Sequence, residues 1–402
     1  MSVRRVAITG AGVVSPIGRG FEAFSRALAG AVSGIGLLPE EVAGRSGAQV
    51  GALVQWDGDT ANVDRVSQFA LAAADEALES SGLELASCDR SRIGVYWGTG
   101  MGGAHSLESA YRQVYGANDW RLRPLTVVIG MNNAAGANIA VRHGLRGPFA
   151  NFSTACSSSA MALGEAMRTI AAGRALALVA GGAEALLTPG TLAAWQALRT
   201  LAAADAADPA ASCKPFDRRR CGLVLGEGAA AFVLEEEAHA RSRGARIHGF
   251  LVGYGNTCDA AHMSRPDREG QVRAMREALR ESELAPGDIG YLNAHATGTQ
   301  VGDLVEAQAI NSVFADAAPR VASTKSMHGH LLGAAGALEF AAALLALETG
   351  LAAPTAFLEQ PDPDIKLRHV ARRCERIHPP RAVMSNSFGF GGSNVVLVAQ
   401  RA

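Results

Sequence analysis

Five short stretches of the chain are almost continuously apolar: Val6–Thr9, Ile93–Trp97, Leu176–Ala180, Ala230–Leu234 and Val395–Ala399. Runs of this length without alternation predict strands buried on both faces. Between them, Ser67–Ser80, Ser158–Ala172, Gln271–Ser282 and Gly336–Glu348 are longer and rich in alanine, and predict helices. Gly or Pro follows several of them within a few residues, as helix ends require. The alternation predicts a layered α/β protein. A weak echo runs through the pattern. Ser153-Thr154-Ala155-Cys156-Ser157 precedes one Ala-rich helix and Ser323-Thr324-Lys325-Ser326-Met327 precedes another. In so Ala- and Gly-rich a chain this echo is no more than chance would give, yet it fits two similar halves. The charged stretch around Glu235–Ala245 would be the join, dividing 1–240 from 241–402.

Composition narrows the class. At 402 residues, with 48% hydrophobic and 19% charged, the chain suits a well-buried globular protein and exceeds a typical single domain. A formal net charge of −1 argues against a basic nucleic-acid binder. Six cysteines (Cys88, Cys156, Cys213, Cys221, Cys258 and Cys374) show no C-x-x-C pair, so they read as reduced thiols, with no metal site among them. The N-terminal basic residues and short apolar run give way at once to Gly, Ser and Pro, which reads as a first buried strand and turn. Leu331–Leu347 is the most apolar stretch but carries Glu339 near its middle, short of a membrane span. The reading is a soluble, cytoplasmic protein.

Gly10-Ala11-Gly12 after the first strand invites a dinucleotide site, but Ser15 stands where the third glycine would be, and the pair reads as a tight turn. Cys156, followed by Ser157, Ser158 and Ser159, is placed at a helix N-terminus, where the dipole would favour a thiolate. Alone, it reads more simply as a buried structural cysteine. His295 lies in Asn293-Ala294-His295-Ala296-Thr297-Gly298-Thr299. Lys325-Ser326-Met327-His328-Gly329-His330 leads into Leu331-Leu332-Gly333-Ala334-Ala335-Gly336. Two histidines among small residues, with that cysteine, fit nucleophilic thioester chemistry. His328 is read as a neighbour without a catalytic role. Near the C-terminus Phe388 and Phe390 sit in Ser385–Asn394 among glycines that permit close backbone approach, and a plain turn needs no such rings.

TACSSS, NAHATGT, STKSMHGHLLGAAG and NSFGFGGSN, in this order, resemble the elongating β-ketoacyl-acyl-carrier-protein synthases of the condensing-enzyme superfamily. The similarity extends to Gly144–Pro148 and Gly226–Ala230. The resemblance implies the thiolase-like fold, a duplicated five-layer αβαβα arrangement, normally dimeric. It implies that Cys156 accepts an acyl group and that His295 and His330 complete a Cys-His-His triad. Lys325 matches the family's active-site lysine, with Glu306 and Glu339 as its buried partners. Thr297 and Thr299 match threonines that bind the phosphopantetheine arm. The backbone N–H groups of Cys156 and Phe390 would form an oxyanion hole, Phe390 would be a mobile gate, and Met101 would border the acyl pocket.

The implied reaction is decarboxylative condensation of the acyl group on Cys156 with a malonyl unit, without nucleotide, redox cofactor or metal. The implied partners are an acyl carrier protein and a second copy of the chain or a related ketosynthase-like subunit. Arg65, Arg121, Arg123 and Lys214 are candidates for a basic patch facing the acidic carrier. His330 excludes the Cys-His-Asn site of initiating synthases. Ser153, where many polyketide relatives carry Asp, and the wording NAHATGT leave primary fatty acid synthesis and a secondary polyketide or polyene pathway both open. The alternatives are a non-condensing thiolase-like acyltransferase, which would not need both histidines, and a chain-length-shaping subunit, which would not need Cys156.

Overall fold

The structure, a computed structural model, describes residues 4–58 and 63–402. Ten strands carry the frame: β1 Val6–Ser15, β2 Ile93–Gly98, β3 Phe149–Phe152, β4 Ala177–Glu184, β5 Gly228–Glu236, β6 Gly249–Cys258, β7 Ile289–Asn293, β8 Arg320–Ala322, β9 Ala382–Gly389 and β10 Ser393–Gln400. Their order across the sheet is β8-β7-β9-β10-β6-β1-β5-β4-β2-β3. Read outward from the centre, the first half runs β1-β5-β4-β2-β3 and the second β6-β10-β9-β7-β8. The strand directions repeat as well. β2 is parallel to β3 and β4, as β7 is to β8 and β9, while the two inner pairings of each half are antiparallel. The halves meet where β1 pairs with β6 over three residues, Val6–Ile8 against Gly249–Leu251.

Five helices make the layers: α1 Arg65–Ser81, α2 Ser158–Ala171, α3 Arg268–Ser282, α4 Gln300–Phe314 and α5 Ala335–Thr349. α2 and α5 pack on each other and touch strands of both halves, forming the middle layer. α1 covers the outer face of the first half, and α3 with α4 that of the second. Position explains composition. α5 is buried from Ala335 to Leu347 without a polar stripe, as a helix enclosed on every side must be. The stretch Leu332–Thr349 is long and apolar enough to cross a membrane by composition, but 89% of it is buried within the fold.

Gly10 and Gly12 are not in a tight turn. They lie inside β1, where a Cβ would sit 2.1 Å from the Ala77 carbonyl oxygen and 2.0 Å from that of Ala73. These glycines let the backbone of α1 press against the strand. The six cysteines are all free thiols.

Candidate active site

Cys156 lies in a tight turn, Ala155–Ser157, between β3 and α2. Ala155 adopts φ +53°, a left-handed conformation costly for a residue with a Cβ. Local hydrogen bonds hold the turn: Ser158 Oγ accepts from Thr154 N–H at 2.9 Å, and Ser157 Oγ donates to the Thr154 carbonyl at 2.8 Å. Gly336, at the start of α5, lets the two middle helices meet; a Cβ there would fall 2.7 Å from that of Ala160.

The second half supplies the rest. His295 follows β7, and His330 follows the short helix Lys325–His328 that comes after β8. His330 Nε2 lies 3.0 Å from Cys156 Sγ, and the rings of His295 and His330 stand edge to face with centroids 5.2 Å apart. Lys325, fully buried, places Nζ 3.4 Å from His295 Nδ1 and 2.5 Å from Glu339 Oε1. Glu339 therefore partners Lys325 as expected. Glu306 does something else: its oxygens accept from the N–H groups of His295 (2.9 Å) and Ala296 (2.7 Å) and from Asn386 Nδ2 (3.0 Å). It fixes the backbone under His295 and does not pair directly with Lys325.

Burial sets the charges. The Cys156 thiol is pushed up to about 12, because it is walled by Leu186, Leu192, Leu223, Leu225 and Leu332, with Lys325 and the Phe390 N–H opposing the shift. Desolvation thus outweighs the helix-terminus dipole, which by itself would favour a thiolate. His295 and His330 are both held well below the usual imidazole range, by burial first and by the Lys325 charge second. The resting site is a neutral thiol beside two neutral imidazoles. His328 has no room for another role: its Nδ1 donates to the Gly329 carbonyl at 2.8 Å, and its Nε2 accepts from Thr324 Oγ1 at 3.0 Å.

Cys156, His295 and His330 open into a cavity of about 410 Å³ whose walls include Thr297, Thr299, Phe388, Phe390 and Trp195. The Thr297 and Thr299 hydroxyls lie 3.2 Å apart. Phe390 is 36% exposed and stacks on Trp195, with centroids 5.9 Å apart and planes at 22°, so its ring belongs to the cavity rim and not to the core.

Other expected residues fall elsewhere. Met101 is 43% exposed and does not line the cavity; its N–H donates to Glu184. Arg65 is turned inward onto fully buried Glu227, with Nη2 2.6 Å from Oε1, so it offers no docking charge. Lys214 is mostly buried and paired with Asp205. Arg121 is exposed but paired with Asp119 at 2.9 Å, and Arg123 is exposed near it. The arginines at the cavity itself are Arg199 and Arg265, both exposed, which the sequence reading passed over. It also passed over Glu184, whose carboxylate accepts from the N–H groups of Gly100 (2.7 Å), Met101 (3.1 Å) and Gly333 (2.9 Å) and so ties the loop after β2 to the entry of α5. Its place at the end of a strand, after two glycines, was the available signal.

Known proteins resemble this chain in sequence and fold. Residues 3–240 match the β-ketoacyl synthase N-terminal domain and residues 248–359 its C-terminal domain. The 3-oxoacyl-[acyl-carrier-protein] synthase 2 of Coxiella burnetii is 39% identical over 414 residues, covering 100% of this chain and 99% of that relative. Among solved structures, the ishigamide ketosynthase/chain length factor superposes with a TM-score of 0.94 at 32% identity, over 100% of both chains. A type II PKS ketosynthase bound to its acyl-carrier protein superposes at 0.93 with 29% identity, again over 100% of both. With both family domains matched and full-length relatives at this identity, the chain that builds this Cys-His-His cavity belongs to the β-ketoacyl synthase family.

Proposed function

We propose that this chain is a β-ketoacyl-acyl-carrier-protein synthase that extends an acyl group held on Cys156 by two carbons taken from malonyl-carrier protein. The observation that carries this reading is His330 Nε2 at 3.0 Å from Cys156 Sγ, with His295 facing both in one cavity. A non-condensing acyltransferase would have no use for the second imidazole, and a subunit that only shapes chain length would have none for the thiol.

In the first half-reaction Cys156 gives its proton to His330 Nε2 as sulfur attacks the acyl thioester. The N–H groups of Cys156 and Phe390 hold the oxyanion, and His330 returns the proton to the departing phosphopantetheine thiol. The second carrier arm then enters past Thr297 and Thr299. Lys325, an ammonium behind His295, requires a lone pair on Nδ1, so His295 presents Nε2–H to the cavity. Among the described residues nothing partners His330 Nδ1, so its ring can also turn an N–H toward the malonyl thioester oxygen. These two donors stabilise the enolate left by carbon dioxide; its carbon attacks the acyl-Cys carbonyl, and collapse expels the Cys156 thiolate, which takes up one proton. Removing such a donor elsewhere costs about 3 kcal/mol of barrier. Loss of carbon dioxide drives the bond, so the reading asks for no nucleotide, redox cofactor or metal.

Residues 1–240 would then form the half that carries the nucleophile and 241–402 the half that carries the histidines and the gate. The carrier protein would dock at the cavity mouth, where Arg199 and Arg265 lack carboxylate partners among the described residues. A second copy or a ketosynthase-like subunit would cover the open edge of β3, on which Phe149 stands exposed. The six free thiols suit a reducing compartment, and we read the enzyme as cytoplasmic. The test is mass spectrometry of enzyme and carriers after incubation with defined acyl- and malonyl-carrier proteins. The expected result is an acyl adduct on Cys156 followed by a carrier-bound product two carbons longer. An adduct without elongation would favour the non-condensing acyltransferase.

A further inference from the structure

The same three residues hold a second chemistry in reserve. Cys156, His295 and His330 bring a sulfur and two imidazole nitrogens within 4.8 Å of one another, all buried. One thiolate and two imidazoles beside an open cavity form a donor set that suits zinc or cobalt(II), with water in the fourth place. Metal–ligand bonds of about 2.0–2.3 Å would require the three side chains to close by about an ångström.

What stands behind His295 is the reverse of what a metal site needs. A metal-bound histidine almost always donates its far ring N–H to an oxygen acceptor. Here that place belongs to Lys325 Nζ, 3.4 Å from His295 Nδ1 and itself held by Glu339 at 2.5 Å. An ammonium only donates. Nδ1 must therefore keep its lone pair, the ring proton sits on Nε2, and the lone pair a metal would bind is occupied. The ammonium also repels any dication entering the cluster.

We infer that Cys156, His295 and His330 form a latent transition-metal site, and that Lys325 keeps it shut. Substituting Lys325 by an uncharged residue lets the His295 proton move to Nδ1. A divalent ion then forms one bond to sulfur and two to nitrogen, and the Cys156 proton leaves to solvent, one per ion. The inference concerns the resting cluster and needs no acyl substrate, so its failure would leave the condensation reading untouched.

Cobalt(II) is the probe, because its thiolate-to-metal band reports sulfur ligation directly. Lys325→Met removes the charge at similar length, and Lys325→Gln adds a carbonyl acceptor behind His295 that should also spare the fold. With cobalt(II) in about tenfold excess over micromolar protein, the full-length parent chain is expected to show no thiolate band. The folded variants should bind one ion at least a hundredfold more tightly, on the order of 3 kcal/mol, with one proton released. Lys325→Gln should be the tightest, and adding Cys156→Ala should remove the band. A parent chain that binds as tightly as the variants would overturn the guarding role of Lys325. Folded variants without a band, or with one that survives Cys156→Ala, would overturn the site.

Discussion

In the first half of the molecule the segment after the third strand reads Ser153-Thr154-Ala155-Cys156; in the second half the same place reads Ser323-Thr324-Lys325-Ser326. Both segments follow an edge strand of the repeated order, and both lead toward one of the two middle helices. The backbone frame is therefore shared, while the chemistry set on it is not. One half delivers the Cys156 thiol, set among leucines. The other delivers two imidazoles, an ammonium and the carboxylates that hold them. The loops after the second strand of each half differ in the same way. Glu184 pins the loop at Gly100 and Met101, which presents no reactive group, whereas Glu306 pins the loop that presents His295. Duplication supplies two equivalent places for residues to converge, and the reaction needs a different partner at each.

That division can be broken from either side. The largest effect is expected from Cys156→Ala: condensation should fall by several orders of magnitude in a carrier-based elongation assay, because of the two thiols lining the cavity, Cys156 and Cys221, it is Cys156 that stands 3.0 Å from His330 Nε2. His295→Ala and His330→Ala should each slow carbon dioxide release from malonyl-carrier protein by about 10²–10³-fold, each removing one donor from the enolate oxygen.

The resting charge state gives a pH test. Because burial pushes the Cys156 thiol up to about 12, alkylation by iodoacetamide should climb about tenfold per pH unit from pH 6 to 10. A plateau already reached near pH 7 would mean a resting thiolate and would contradict the neutral site. Phe390→Ala sharpens the reading of the gate. With the ring 36% exposed, the melting temperature should stay within a few degrees, while malonyl decarboxylation without a loaded acyl group should rise several-fold. A large drop in melting temperature with normal kinetics would make Phe390 a packing residue. The smallest effect belongs to the rim. Arg199→Ala and Arg265→Ala should each raise KM for the carrier protein by about two- to fivefold at low salt and leave kcat unchanged.

The sequence made the alternation of elements legible because apolar runs and Ala-rich segments are local signals. Val395–Ala399, for example, falls inside the strand Ser393–Gln400, and Ser67–Ser80 inside the helix Arg65–Ser81. It misread what depends on contacts made across the fold. Gly10 and Gly12 looked like a turn because nothing local announces a helix packed so close that a Cβ would fall about 2 Å from its carbonyl oxygens. Arg65 and Lys214 looked like surface charge because Glu227 and Asp205, their partners, gather only in three dimensions. The grouping of Cys156, His295 and His330 was visible because short motifs mark them. The neutral state of Cys156 was not, since it follows from leucines scattered between Leu186 and Leu332.

The central claim is that the nucleophile works from one half and the enolate donors from the other. It is tested most directly by running the two half-reactions separately in His295→Ala. Intact-protein mass spectrometry would follow acyl loading of Cys156, and trapped carbon dioxide would follow decarboxylation. The account predicts loading within about tenfold of the parent chain alongside a decarboxylation rate lower by about 10²–10³-fold. Equal loss of both would contradict it, because His295 would then serve the thiol as much as the enolate.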